Sequence, residues 1–264
     1  MTAAFGIDVE RRPEGVAWIV LRNPARRNAM RLEMWEALPD IVTALGSDPT
    51  VRVVALRGHG AEAFASGADI SEFETRRRDA VQAAAYEAVT ERAFRALETL
   101  TRPVVAMIHG ICFGGGLAIA ASADIRIAAD DARFCLPPAR LGLGYHRRGV
   151  ERLLALIGPA ATADVFFTAR QLDATEALAM GLVNRVVPKA ELETCTETLL
   201  QQIAANAPLT LRAAKAALID ALRLPADRDP AWVERLVAAC YESEDYAEGL
   251  RAFLEKRAPV FRGR

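Results

Sequence analysis

The sequence predicts an α/β fold, and the first of two supporting observations is a long stretch without formal charge. Residues 103–123 contain no Asp, Glu, Lys or Arg. Val104–Ile108 is an apolar run of strand length, and the glycines at 114–116 precede a second apolar run of helical length. A buried strand, a tight turn and a buried helix explain this order. The stretch would be long enough to cross a membrane, but the central glycines and Pro103 argue against a lipid-exposed helix.

The second observation is that the same order of elements occurs twice. Val51–Leu56 is apolar at nearly every position, as expected for a strand that is covered on both faces. A loop over 58–70 follows it, and Ala80–Leu100 then carries apolar residues at helical intervals. Two successive strand–turn–helix units indicate a layered α/β core.

The remaining elements flank these two units. In chain order they are the strands Phe5–Val9 and Val16–Leu21, a helix over Arg31–Leu45, and the strand Ile125–Ala128. Pro39 should kink that helix or mark a first turn. From Gly149 onward the pattern is helical except over Leu182–Val187, and prolines separate the last helices. We predict a core over residues 1–200 and a helical region over 201–264 that covers a partner or the active site.

Composition excludes several classes of protein. The chain is 52% hydrophobic and 25% charged with a formal net charge of −1, which is typical of a globular domain and gives no support for nucleic-acid binding. Its four cysteines are scattered and its three histidines are not paired with them, so no metal site is expected. The first residues lack the pattern of a signal peptide, so we expect a cytoplasmic protein that is not bound to a membrane.

Two loops are the candidates for a functional site. Phe64–Ile70 and His109–Gly116 each follow a predicted buried strand and precede a helix. Open α/β sheets bind ligands at the carboxyl ends of their strands, and a glycine-rich helix start exposes backbone N–H groups that could stabilise an oxyanion. Neither loop matches a dinucleotide or nucleotide triphosphate motif. The alternative is that both loops are tight connections that need glycine only for a positive φ.

Motifs along the whole chain identify a known family. They are Asn23–Ala29, Ser66–Ile70, the triple glycine through Ile125, Phe167–Arg170, Ala177–Val183 and the tail from Ser243 to Arg257. With these motifs the chain resembles the crotonase superfamily, the enoyl-CoA hydratase/isomerase family. The resemblance implies a crotonase-like core of repeated ββα units in a superhelical arrangement, and a helical C-terminal region for trimerisation. It also implies a homotrimer or homohexamer.

The resemblance further implies the ligand and its contacts. The ligand would be an acyl-CoA thioester, bound as substrate with no separate cofactor, in fatty acid metabolism. Its thioester oxygen would accept hydrogen bonds from the backbone N–H groups of Ala68 and Gly115. The residues implied to line the path toward CoA are Asp69, Ile70 and Ser71. Lys256 could reach a CoA phosphate, although a lysine at such a position is usually solvated.

Two positions depart from the family pattern. Ala118 and Pro138 stand where the resemblance implies the two glutamates with which hydratases activate water. Neither residue can transfer a proton, so ordinary hydration and simple isomerisation are in doubt. Tyr145 and His146, in a polar turn just beyond Pro138, are the replacement candidates. The chain also has some resemblance to methylmalonyl-CoA decarboxylase, which has a tyrosine at about position 145.

Decarboxylation is a reaction that does not need the two missing glutamates. Departure of carbon dioxide leaves the enolate directly, so two amide donors and a proton donor suffice. Tyr145 could orient a carboxylate or donate a proton, and His146 could donate one. We therefore predict a lyase of the decarboxylase type. Two alternatives stay open, namely a hydratase or isomerase that uses unusual residues and an acyl-CoA binding protein without activity. The turn that carries Tyr145 could also be a surface turn.

Overall fold

Ten strands and eleven α-helices alternate along residues 5–264, the part of the chain that the computed structural model describes. In spatial order the larger sheet contains β1 (Gly6–Arg12), β2 (Val16–Arg22), β3 (Val53–Gly58), β5 (Val104–Ile108), β7 (Ile125–Ala129) and β10 (Arg185–Val187). The smaller sheet contains β4 (Ala63–Ala65), β6 (Ile111–Phe113), β8 (Arg133–Cys135) and β9 (Leu172–Asp173). The predicted α/β fold is confirmed.

The helices follow the strands in a regular order. They are α1 (Leu32–Ser47), α2 (Phe73–Arg76), α3 (Ala80–Thr99), α4 (Gly115–Ala121), α5 (Pro138–Leu141), α6 (Arg147–Thr168), α7 (Ala174–Ala179), α8 (Leu192–Ala205), α9 (Pro208–Ala221), α10 (Pro230–Tyr241) and α11 (Glu244–Glu255). The strands β3, β5 and β7 pair in parallel in one sheet, and β4, β6 and β8 pair in parallel in the other. Each unit of two strands and a helix therefore repeats, as a ββα core requires.

The apolar residues of the central strands pack into two hydrophobic cores. In β2, Ile19 and Leu21 belong to the core that contains Trp35 of α1, whereas Trp18 and Val20 belong to the core that contains Leu199 of α8. Successive side chains of a strand point to opposite faces. Because both faces of the larger sheet are covered, its strands are apolar without alternation.

None of the four short strands of the smaller sheet was predicted, and two of them, β4 and β6, lie at the candidate loops. The predicted loop over 58–70 contains β4, and β6 lies between β5 and the helix that begins at the glycines. Each of these strands has three residues, which is too short for a periodic pattern to be visible. Pro39 is buried in the middle of α1, which continues through it without interruption, so it does not mark a first turn.

The uncharged stretch 103–123 is divided between β5, β6 and α4. The interpretation as a buried strand followed by a buried helix is therefore confirmed. Among residues 5–264, no helix combines the length and the apolar character needed to cross a membrane.

His109, at the end of β5, makes the stability of the fold dependent on pH. The residue is 5% exposed, and its Nε2 atom has no hydrogen-bond partner within residues 5–264. Burial lowers the pKa of the imidazole from its ordinary value. The unfolded chain therefore binds a proton more readily than the folded chain, so folding opposes protonation of this group.

We expect the free energy of unfolding to fall as the pH is lowered below about 6.5, the pKa of an unperturbed histidine. Urea denaturation between about pH 5 and 8 measures this dependence, and H109Q should flatten it. The exposed His59 provides the control, since H59Q should leave the dependence in place. A pH profile that H109Q does not change would contradict this account.

Candidate active site

The triple glycine between β6 and α4 is explained by three different requirements. Gly114 has a φ of +50°, which a residue with a side chain rarely adopts. A Cβ atom added to Gly115 would lie 2.9 Å from Cζ2 of Trp35. A Cβ atom added to Gly116 would lie 2.3 Å from the backbone oxygen of Ala65. The start of α4 can therefore approach both α1 and β4 only if all three residues are glycine.

The loop after β4 is fixed by backbone hydrogen bonds to Met30. The N–H of Met30 donates to the oxygen of Gly67 at 2.8 Å, and the N–H of Asp69 donates to the oxygen of Met30 at 2.9 Å. In a trans peptide the C=O and N–H groups point in opposite directions. Because the carbonyl of Gly67 points toward Met30, the N–H of Ala68 in the same peptide points away from it.

The direction of the N–H of Gly115 follows from the same geometry of the peptide group. The oxygen of Gly114 accepts the N–H of Ala118 at 3.1 Å, so the N–H of Gly115 points out of the start of α4. A Cβ atom added to Gly115 would lie 3.5 Å from the nitrogen of Ala68, and one added to Gly67 would lie 3.4 Å from the nitrogen of Gly115. Within residues 5–264 neither of the two amides donates a hydrogen bond. Two unused donors at one point form an arrangement that can stabilise an oxyanion.

These two amides border a cavity of about 160 Å³. Its lining includes Trp35 and Phe94, which pack edge-to-face with their ring centroids 5.3 Å apart. Ala118 and Pro138 also line the cavity, so no titratable side chain is present at either of these two positions.

The structure brings together five of the predicted site residues. Ala68, Ile70, Gly115, Tyr145 and His146 all line the cavity. The first three belong to the two loops that the sequence analysis singled out, and the last two belong to the turn before α6.

The other three predicted residues lie outside the cavity wall. Oδ1 of Asp69 accepts hydrogen bonds from the backbone N–H and the hydroxyl of Ser71, at 3.1 and 2.7 Å, and so closes the short turn before α2. Lys256 is exposed at the end of α11, where it has a φ of +55°.

Tyr145 is held with its ring against α6. The ring packs edge-to-face on Phe166, with the centroids 4.8 Å apart. A Cβ atom added to Gly149 would lie 2.3 Å from Cε1 of Tyr145, so this glycine is needed for the close packing. Burial raises the pKa of Tyr145 to about 12. The phenol therefore stays protonated at neutral pH and can donate a proton or a hydrogen bond.

His146 lies at the rim and caps a helix. Its Nδ1 atom accepts the backbone N–H of Arg148 at 3.3 Å, at the start of α6. A ring nitrogen that accepts a hydrogen bond carries no proton, so a neutral His146 ring has its proton on Nε2. The side chain is exposed, which leaves that atom accessible to solvent.

Four charged residues that sequence reasoning missed also line the cavity, and we call them the charged wall: Arg77, Glu87, Glu91 and Arg152. The side chains of Glu91 and Arg152 are 17% and 6% exposed. The sequence carries a weak signal for them, since Glu87 and Glu91 are one helical turn apart on α3, and Arg148 and Arg152 are one turn apart on α6. That the two pairs face each other follows only from the tertiary packing.

Comparisons with known proteins agree with this geometry. The model of a family described as enoyl-CoA hydratase/isomerase matches residues 11–264. The chain is 33% identical to a short-chain-enoyl-CoA hydratase of Clostridium acetobutylicum, over 92% of each protein. An enoyl-CoA hydratase/carnithine racemase of Magnetospirillum magneticum superposes with a TM-score of 0.91 at 38% identity, covering 98% of this chain and 96% of that one. A putative enoyl-CoA hydratase/isomerase family protein of Hyphomonas neptunium gives 0.92 at 38% identity, covering 98% of each.

Proposed function

Because the chain belongs to the enoyl-CoA hydratase/isomerase family of the crotonase superfamily, we propose that it decarboxylates an acyl-CoA thioester whose carbonyl oxygen lies between the N–H groups of Ala68 and Gly115. One observation carries the proposal. The cavity combines two unused amide donors with the phenol of Tyr145, a partly buried residue, and has no acid at Ala118 or Pro138. A reaction that forms an enolate without a base at those positions fits this set of groups.

The proposed reaction has two steps. The bond between the α-carbon and the substrate carboxylate breaks, carbon dioxide leaves, and the electron pair of that bond passes into the thioester to form an enolate. The charge collects on the oxygen, which the two amides stabilise without reorganisation. The α-carbon then takes a proton from the phenol of Tyr145, and solvent returns a proton to the phenolate. An enolate carbon is a much stronger base than a phenolate, so this transfer is downhill.

A second candidate is hydration of an enoyl-CoA. The observation that favours it is Glu91, whose carboxylate lies in the same cavity as Ala118 although it belongs to α3 rather than α4. A carboxylate can hold and activate a water molecule. In this case Glu91 would carry out the proton transfer that Ala118 and Pro138 cannot perform.

Turnover of three thioesters separates the candidates. We expect carbon dioxide release from malonyl-CoA or methylmalonyl-CoA, and no addition of water to crotonyl-CoA. Hydration of crotonyl-CoA that E91Q abolishes would favour the second candidate. Binding of all three thioesters without any product would instead identify an acyl-CoA binding protein without activity.

Tyr145 provides a test of the proton donor. In Y145F we expect kcat for decarboxylation to fall about 100-fold, the lower end of the range for loss of a general acid, while acyl-CoA affinity changes little. Steady-state kinetics and calorimetric titration measure the two quantities. Y241F, at an exposed tyrosine of α10, serves as the control and should keep full activity. Full activity of Y145F would show that another group protonates the enolate.

A further inference from the structure

Residues 66–69, which include Ala68, are attached to the chain before α1 by backbone hydrogen bonds. The N–H of Ser66 donates to the oxygen of Arg27 at 3.0 Å, and Ala68 pairs with Met30 in a short parallel bridge. Farther along the chain the connection to α1 is made by a side chain, that of Glu72. Backbone bonds thus hold the start of this segment, and Glu72 holds the turn that follows it.

Glu72 ends the short turn after residue 69, and both oxygens of its carboxylate are bonded. Oε2 accepts the backbone N–H of Leu32, and Oε1 accepts Nε–H of Arg31, each at 2.9 Å. The side chain of Glu72 is 9% exposed. Hydrogen bonds to a charged acceptor are stronger than those between neutral groups, and the carboxylate cannot turn without losing at least one of the two. The link between the turn and α1 is therefore firm.

The start of α1 depends on this carboxylate because the adjacent residue supplies no cap. Arg31 precedes the helix, and its side chain makes no capping hydrogen bond. The first N–H groups of a helix have no partners within the helix, and the helix dipole favours an anionic acceptor at that end. Glu72 is 40 residues away from Leu32 in sequence and provides this acceptor. It is therefore the N-terminal cap of α1.

The same helix also contacts the second amide donor. Trp35 lies in the first turn of α1, and its ring packs against the start of α4, where a Cβ atom added to Gly115 would be 2.9 Å from Cζ2. The helix α1 therefore touches both loops of the candidate site. The position of one amide relative to the other depends on how firmly residues 66–69 are tied to this helix.

We propose that Glu72 is a positioning residue, which holds the N–H of Ala68 opposite that of Gly115 by tying the turn after residue 69 to the first turn of α1. The inference rests on the proposed function in one respect, namely that the thioester oxygen lies between these two N–H groups. Glu72 does not line the cavity, so it acts through the backbone and not on the ligand. The alternative is that Glu72 stabilises α1 as a cap and does nothing more.

In E72A we expect kcat for malonyl-CoA to fall about 10- to 100-fold, because a shift of about 1 Å in a catalytic group can cost as much. Substrate affinity should change much less, since the oxygen carries less negative charge in the bound substrate than in the transition state. In E72Q the side-chain carbonyl can still accept the N–H of Leu32, so this variant should keep most of the activity. Steady-state kinetics and calorimetric titration measure the two quantities.

Butyryl-CoA labelled with carbon-13 at its carbonyl carbon reports on the two amides without turnover. This ligand has no carboxylate to lose, and hydrogen bonds to its carbonyl oxygen polarise the C=O bond, which moves the carbon-13 resonance downfield. We expect a downfield shift when the ligand binds to the wild-type chain. The shift should be smaller in E72A and close to the wild-type value in E72Q. A loss of stability alone would not change the resonance of the bound ligand.

D220A is the matched control. The side chain of Asp220 is also 9% exposed, accepts a backbone N–H, that of Asp229 at 2.7 Å, and faces an arginine, Arg223 at 3.6 Å. Asp220 connects α9 to the start of α10 and does not line the cavity. D220A should therefore lose stability, as E72A does, but keep the wild-type kcat and the wild-type carbon-13 shift.

E72D carries the test if E72A does not fold. Its carboxylate is one methylene group nearer to the backbone and cannot keep both hydrogen bonds in place. We expect kcat and the carbon-13 shift of E72D to lie below those of E72Q. Values of E72D equal to those of the wild type would contradict the proposal.

The possible outcomes separate this inference from the proposed function. A wild-type kcat and carbon-13 shift in E72A, or equal effects of E72A and D220A on both, would overturn the role of Glu72 even if malonyl-CoA is decarboxylated. E72Q as impaired as E72A would also overturn it, since the bond to Leu32 would then not set the position. A shift that falls in E72A and returns in E72Q would support the role even if no thioester releases carbon dioxide. Absence of any shift on binding to the wild type, or of binding itself, would overturn both.

Discussion

In G115A we expect turnover of an acyl-CoA substrate to fall about a thousandfold, equivalent to about 4 kcal/mol of transition-state stabilisation. The added methyl group would lie 3.5 Å from the nitrogen of Ala68, beside the amide that would bind the thioester oxygen in the proposed reaction. The same methyl group would lie 2.9 Å from Cζ2 of Trp35, so the ring must move and the amide of residue 115 with it. Because the oxygen carries more negative charge in the transition state than in the bound substrate, kcat should fall more than substrate affinity.

The matched control is G249A, an alanine introduced at another helical glycine. There the added methyl group meets only Phe261 at 3.6 Å, an ordinary contact, and alanine is favoured over glycine within a helix. G249A should therefore keep full activity. Circular dichroism and thermal melting show whether each variant folds. A folded G115A with wild-type kcat would mean that the two amides do not hold the reacting oxygen.

In D124A we expect the free energy of unfolding to fall by about 3–5 kcal/mol, because a buried cation loses its counter-ion. Nζ of Lys215 is 2.8 Å from Oδ2 of Asp124, and the lysine side chain is 5% exposed. The same oxygen accepts the backbone N–H of Val104 at the start of β5. The aspartate thus joins α9 to the central sheet, and without it the buried ammonium of Lys215 keeps only the backbone oxygen of Arg102. Urea denaturation measures the loss.

Asp131 provides a control that differs mainly in burial. It also accepts a backbone N–H, that of Gly110, and it also pairs with a lysine, but the side chain of Lys189 is 43% exposed. An exposed ion pair contributes at most about 1 kcal/mol, so D131A should lower the free energy of unfolding much less than D124A does. Combining D124A with K215M removes the stranded charge and should restore much of the stability. Equal losses in D124A and D131A would contradict the argument.

The elements predicted correctly from the sequence are those with long local patterns. Val104–Ile108 was predicted with the bounds that the structure shows, because five apolar residues lie between Pro103 and His109. The helix of α3 was also placed closely, over Ala80–Leu100 against the observed Ala80–Thr99. The strands of the smaller sheet, β4 and β6 among them, were missed because each has at most three residues and pairs with a strand that lies far apart in sequence.

The candidate site also contains residues that local sequence patterns predict and residues that only the tertiary packing brings together. The loop with Ala68 and the start of α4 with Gly115 could be predicted, because glycine at a strand-to-helix connection is a local signal and because motifs were recognised. The charged wall could not be predicted. Glu91 and Arg152 come together only because α3 and α6 pack on either side of one cavity, and no local pattern encodes that packing. The ion pair of Asp124 with Lys215 could not be predicted either, because Lys215 lies on a helix that is distant in sequence.

The cavity wall includes residues as far apart along the chain as Trp35 and Arg152. Such a surface does not exist in the unfolded chain, so any molecule that fills it stabilises the native state by mass action. A library of CoA thioesters can therefore be ranked by the rise in melting temperature alone, before any reaction is known. By the same logic, a metabolite retained through purification would make the apparent stability of a preparation depend on how thoroughly it had been washed.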